Sequence, residues 1–195
     1  MKQILTFILL TFLCLPSQAQ EKIYTVDNIP KVHLQNKLRY VCNPADILSQ
    51  AACDSIDRML YNLEEKTGIE TVVAVVPSIG QEDCFDFAHQ LLNQWGVGKK
   101  GKNNGLVILL VTDQRCIQFY TGYGLEGDLP DAICKRIQTK NMIPFLKTGN
   151  WDAGMVSGIR AVCQRLDGSM VNDAVNDEED ISWSMILLAV VGLWE

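Results

Sequence analysis

Thr71-Val72-Val73-Ala74-Val75-Val76 and Leu106 to Val111 are runs of apolar and β-branched residues with no polar alternation. Such runs predict strands covered on both faces. Around them the apolar positions recur at three and four residues, the spacing of a helix face. One stripe, Ala52, Ile56, Met59, Leu60 and Leu63, follows Ser49 as a helix N-cap and stops before Gly68. A second helix is predicted from about Glu82 to Trp95, with Phe85, Ala88, Leu91, Leu92 and Trp95 on its apolar face and Gly96 as its stop. Glu82 and Asp83 fall in its first turn, where the helix dipole favours acids. The order strand, helix, strand implies a right-handed crossover between parallel strands. The short polar segment Thr112 to Arg115 then leads straight into Cys116 to Tyr120, which predicts a hairpin and an antiparallel third strand.

Two further helices follow. The first is capped by Asp128, has Pro130 in its first turn, carries Ala132, Ile133 and Ile137, and ends at Pro144, which can begin a short further turn. The second starts near Asp152 and places Val156, Ile159, Val162, Cys163 and Leu166 on one face before Gly168. Helices on both sides of a small sheet make an α/β fold, a three-layer α/β/α sandwich. Its mixed sheet has two parallel central strands plus the antiparallel hairpin strand.

The termini are of a different character. Lys2, an apolar run from Ile4 to Leu15 and then Pro16-Ser17-Gln18-Ala19 follow the order of a secretory signal peptide, residues 1–19. Residues 20–38 have no sustained periodicity and read as an extended lead-in to a domain spanning 39–168. Residues 169–180, with Asp173, Asp177, Glu178, Glu179 and Asp180, form an acidic linker, and residues 181–195 carry an apolar run, uncharged from Ile181 to Trp194, with tryptophans near both ends. That run is shorter than the roughly 20 residues of a membrane span. It reads as the start of a truncated transmembrane helix, with a buried core helix as the alternative. The expected location is therefore outside the cytoplasm, on a periplasmic or extracellular face, with the C-terminal segment anchoring the chain in the membrane.

A formal charge of −6 excludes a nucleic-acid partner, which needs a basic surface. Of seven cysteines Cys14 lies in the signal, leaving Cys42, Cys53, Cys84, Cys116, Cys134 and Cys163, whose spacing fits no zinc pattern. An exported compartment permits one or two disulfides among them, and the sequence leaves the connectivity open.

Gly96-Val97-Gly98-Lys99-Lys100-Gly101 and Gly122-Tyr123-Gly124-Leu125-Glu126-Gly127 both match the glycine pattern of dinucleotide sites. The first runs from helix to strand, the reverse of what a pyrophosphate site needs, and the second lacks a strand to complete its βαβ unit; no nucleotide is expected. They read better as two loops that meet, since the hairpin lays the start of one strand beside the end of the other. Asn103 and Asn104 then neighbour Gly122 to Glu126. Glu126, Asp128 and Asp131, with the Asn103 or Asn104 carbonyl, could supply hard oxygen ligands to a Ca2+- or Mg2+-like ion, bound weakly. The alternative is that Asp128 caps a helix, Asp131 complements its dipole and Glu126 faces solvent. His33 and His89 have no nucleophile beside them, so no catalytic residue is assigned.

Asn43-Pro44 with Ile47-Leu48-Ser49, Thr67-Gly68, Trp95-Gly96-Val97-Gly98, Asn104-Gly105-Leu106-Val107, Gly122-Tyr123-Gly124-Leu125-Glu126 and Leu129-Pro130-Asp131-Ala132 occur in an order that resembles the TPM-domain family, over about Arg39 to Leu166. The resemblance implies a small α/β/α module of exported and thylakoid-lumen proteins, often with a membrane helix behind it. It implies a divalent-metal site in some members, acid-phosphatase activity in a plant lumen member, and roles in photosystem repair or receptor modulation in others. The acid usual before the Asn-Gly pair corresponds here to Asn103, and the usual acid of the early turn to Asn43, with Asp46 nearby. Each replacement removes a negative charge and weakens any site for a hard cation. Asn43 and Asp46 are also expected at the end of the sheet opposite Glu126, so the candidate metal site keeps Glu126, Asp131, Asn103 and Asn104. The expected function is a membrane-tethered module that assists or modulates a membrane protein or complex, with a metal-assisted acid phosphatase acting on phosphate monoesters as the alternative.

Overall fold

The computed structural model describes residues 22–169 apart from Lys99. The predicted signal peptide, the acidic linker beyond Ser169 and the apolar C-terminal segment lie outside the described residues. No helix among the described residues is long and apolar enough to cross a membrane.

Four strands form one sheet in the order β1-β2-β3-β4: β1 (Val41–Cys42), β2 (Glu70–Val76), β3 (Gly105–Val111) and β4 (Cys116–Thr121). The first three are parallel and β4 returns antiparallel to β3. The predicted sheet thus gains one short parallel strand at its edge. Helix α1 (Val32–Gln35) precedes β1; α2 (Gln50–Thr67) joins β1 to β2, and α3 (Cys84–Trp95) joins β2 to β3. After β4 come α4 (Asp131–Ile137), a π-helical turn at Gln138–Met142, α5 (Ile143–Leu146) and α6 (Trp151–Leu166).

The pleat divides the core in two. Val73, Val75, Leu106, Ile108 and Leu110 face Ile56, Leu60 and Leu63 of α2 and Met155, Ile159 and Val162 of α6. Val72, Ala74, Val76, Val107, Leu109 and Val111 face Phe87, Ala88, Leu91 and Trp95 of α3. A side chain points to alternate faces along a strand, so covering both faces requires the unbroken apolar runs seen in the sequence. The strand order advances in one direction while α2 and α3 lie on opposite faces. The two crossovers therefore have opposite hands, and one of them departs from the right-handed rule.

Several expectations are corrected in detail. The buried aromatic of α3 is Phe87, whereas Phe85 is 53% exposed. Asp83 is the N-cap, its carboxylate accepting from the Phe85 and Asp86 amides, and this start puts Phe87 one turn before Leu91. Helix α4 begins at Asp131 with Pro130 as its unbonded N-cap, so Asp128 does not cap it. The short further turn expected at Pro144 is α5, with the proline in its first turn, where no N–H is required, and the wider π turn joins it to α4. Residues 22–38 are more than a lead-in: Tyr24, Val26 and Ile29 are buried in the α3 layer, and Tyr24 N–H donates to Ser78 O at 2.9 Å.

Candidate functional site

The two glycine-rich loops do meet, and the contact is backbone on backbone. Gly122 N–H donates to Gly105 O at 2.8 Å and Gly124 N–H to Asn103 O at 3.0 Å. A Cβ on Gly124 would lie 2.0 Å from Lys102 O, one on Gly122 2.3 Å from Asn103 O, and one on Gly105 2.2 Å from Val97 O. These glycines serve close packing at the entry to β3. Gly124→Ala is accordingly expected to cost about 2 kcal/mol, as other overpacked sites do, because a backbone carbonyl cannot swing aside as a side-chain end can. Urea denaturation checks it; an unchanged midpoint would show that the loops part freely.

Of the predicted ligands, Glu126 and Asp131 come together and the asparagines do not. Glu126 follows the 3-10 turn Tyr123–Leu125, Asp131 opens α4, and both line one groove of about 630 Å³. Asn104 is buried, and its amide donates to Gly68 O at 2.6 Å, holding the C-terminal end of α2 against the start of β3. Asn103 is exposed, with φ at +48°, a left-handed conformation that asparagine tolerates better than most residues. Neither asparagine lines the groove. Asn43 lies just beyond the C-terminal end of β1, at the opposite end of the sheet, where its Oδ1 accepts from the Ile47 and Leu48 amides. Asp46 follows in the same loop, with φ at +51°.

The groove lies over the outer edge of β4. Among the described residues strand β4 pairs with β3 alone, and the Gly122–Gly105 bond fixes the phase, so the backbone groups of Ile117, Phe119 and Thr121 point outward. Gln118 Nε2 covers one of these, the Phe119 carbonyl, at 2.8 Å. One wall is aromatic: the rings of Phe85 and Tyr120 lie 5.2 Å apart, and His89, one turn further along α3, stands 5.0 Å from Tyr120. The other wall is α4, with Asp131, Ala132 and Lys135. A disulfide between Cys84 and Cys116 joins the first residue of α3 to the first of β4 and so fixes the aromatic wall. This pairing, which spacing left open, is the part of the site that sequence reading missed. Among the described residues the remaining thiols are inert: burial raises Cys53 and pushes Cys134 up to about 11 and Cys42 and Cys163 up to about 12.

As a metal site the groove offers two exposed carboxylates. Among the described residues no three His, Cys, Asp or Glu side chains are placed to hold an ion. Such a donor set fits a loosely held hard cation completed by water, not a tightly bound one.

The comparisons with known proteins agree on one family. A profile of the TPM domain matches residues 41–165. Two chloroplastic UPF0603 proteins of rice, from Oryza sativa subspecies indica and japonica, are each 22% identical over 130 residues, 66% of this chain but 44% of theirs. The chain thus spans less than half the length of these relatives. Among solved structures, the N-terminal domain of a protein from P. gingivalis is 41% identical with a TM-score of 0.71, covering 76% of this chain and 95% of that domain. The BA42 protein of the psychrophile Bizionia argentinensis is 19% identical, with a TM-score of 0.54 over 64% of this chain and 84% of its own, a likeness of fold.

Proposed function

Because the chain belongs to the TPM-domain family, we propose that it is an exported, membrane-tethered module that docks a membrane protein or complex through the groove over β4 and modulates it. A Ca2+- or Mg2+-like ion is held weakly at Glu126 and Asp131. The observation that carries this reading is an open strand edge flanked by an aromatic wall whose Phe85 is 53% exposed. Unpaired edge groups accept an extended segment of a partner, and exposed aromatic rings are the anchors such contacts use. Support for export comes from the order of residues 1–19 and from the Cys84–Cys116 bond, which persists in an oxidising compartment. The uncharged run from Ile181 to Trp194 supports the tether.

Docking is favoured over phosphate-ester hydrolysis by the donors present. Two solvent-facing carboxylates give a cation too little charge and too little fixed geometry to polarise a phosphoryl oxygen. Calorimetric titration of the full chain with calcium and magnesium tests the ion. Saturable heat is expected in the millimolar range, about −4 kcal/mol of binding free energy, and should vanish in Glu126→Gln with Asp131→Asn. Heat retained in that variant would place the ion elsewhere, and none in the parent chain would remove the ion from the proposal. Turnover of a phosphate monoester that disappears in Glu126→Gln would favour the hydrolase over docking.

A further inference from the structure

A second cavity, of about 530 Å³, lies on the α6 side of the sheet, between the β3–β4 hairpin and the link from α5 to α6. Thr112, which lines it, directly follows β3, so the cavity opens at the carboxyl end of a parallel strand, the end at which open α/β sheets take their ligands. It shares no lining residue with the groove over β4. Its body is apolar: Leu110 and Ile117 from the strands, Ile143 and Leu146 from α5, and Trp151, the first residue of α6. Two cations complete the lining, Arg115 and Lys147, both exposed residues, and no acid does. Among the described residues neither of them makes an ion pair. The acids nearest to them in sequence are engaged elsewhere: Asp113 Oδ1 accepts from the Gln114 amide and Asp152 Oδ1 from the Ser49 amide at 2.9 Å.

Arg115 has φ at +50°, in the left-handed region, where a glycine carries no steric cost. What the arginine adds in return is a guanidinium at the mouth of the cavity. An apolar body with two such cations at its mouth is complementary to an amphiphile with one anionic head, whose chain leaves water while its head meets the charges. The volume lies within the roughly 300 to 1,000 Å³ of small-molecule sites. The bordering backbone favours a ligand without a main chain of its own. Thr112 N–H already donates to Val76 O, Arg115 N–H to Thr112 O, Lys147 N–H to Ile143 O and Gly149 N–H to Leu146 O. We infer that the cavity binds a small amphiphilic carboxylate, a fatty acid of medium chain length, with the carboxylate on Arg115 and Lys147 and the chain along Leu110, Ile143, Leu146 and Trp151.

The indole N–H resonance of Trp151, identified by its loss in Trp151→Phe, reports binding in the full chain held in phosphatidylcholine nanodiscs. Octanoate should shift it saturably in the millimolar range, and the double variant Arg115→Gly with Lys147→Gln should bind octanoate about fivefold more weakly. Octanamide, which has the same chain and no charge, should bind parent and double variant alike. Partition of each probe into lipid is common to the two proteins and cancels in these ratios. Arg115→Gly alone relieves the left-handed backbone, so it should weaken octanoate about twofold without lowering the melting temperature, which separates lost binding from lost fold. No saturable shift at roughly 20 mM, or equal affinity of parent and double variant for octanoate, would overturn the inference. An equal loss for octanamide would overturn it too, since the variants would then act on the shape of the cavity and not on its charge. Tighter binding of the peptide Ala-Ala-Leu than of octanoate would contradict it in favour of a peptide carboxyl terminus.

Discussion

Replacing Cys84 and Cys116 together by serine is expected to lower the stability of the fold by about 3 kcal/mol, since the bond closes a loop of 32 residues in the unfolded chain. For a domain of this size that corresponds to a fall in melting temperature of roughly 10 °C. The groove should suffer with the fold. Cys84 precedes Phe85 and Cys116 opens β4, so the bond holds the start of α3 on the strand that carries Tyr120. Nuclear Overhauser contacts between the Phe85 and Tyr120 rings should weaken in the variant at temperatures where it is still folded. Scanning calorimetry with and without reductant gives the first quantity. If reductant leaves the parent chain unchanged while the thiols are shown to be free, the bond contributes nothing and the groove is shaped by packing alone.

Asp57→Ala is expected to cost about 3 kcal/mol by removing the acceptor of two buried amides. Asp57 lies on the inner side of α2, is 7% exposed, and its Oδ1 accepts from Tyr40 N–H at 2.8 Å and Val41 N–H at 3.1 Å. Its Oδ2 faces Arg39 at 3.1 Å, and the carboxylate raises the guanidinium pKa further. The arginine side chain is 42% exposed, so Arg39→Ala should cost no more than about 1 kcal/mol. Most of the effect therefore belongs to the amides. Asp57→Asn keeps an acceptor and should fall between the two. Hydrogen exchange separates these contributions, since the Tyr40 and Val41 amides should lose protection in Asp57→Ala and keep it in Arg39→Ala. A cost below about 0.5 kcal/mol for Asp57→Ala would mean that β1 is held by its ladder with β2 alone.

Asp57 also shows where sequence reading stops. A lone carboxylate between Ile56 and Met59 looks like a solvated helix position, and nothing local reveals that its partners are amides 16 and 17 residues earlier. The central strands were legible for the opposite reason: burial on both faces leaves an unbroken apolar run that no neighbouring residue disguises. In Cys84-Phe85-Asp86-Phe87 either phenylalanine suits a helical face, and the Asp83 cap decided between them. Asn104 invited assignment as a ligand because an amide oxygen beside an acidic loop suits a cation, but its side chain was already engaged by Gly68, 36 residues away. Asn103 and Asn104 were placed beside Gly122 to Glu126 from the hairpin alone, because the turn at Thr112 to Arg115 forces the two loops to one end of the sheet. Tyr24, Val26 and Ile29 escaped notice because a buried segment without regular structure has no period to read.

The docking role of the groove is tested most directly by a photo-crosslinking side chain introduced at Ala132, an exposed position on the α4 wall, with Tyr61 on the exposed face of α2 as the control. Illumination of intact cells should join position 132, and not position 61, to a membrane protein. The adduct should fall at least about threefold when Glu126→Gln and Asp131→Asn are added, a loss of roughly 0.7 kcal/mol. Equal adducts from both positions, or adducts from position 61 alone, would contradict the assignment of the β4 groove as the docking face.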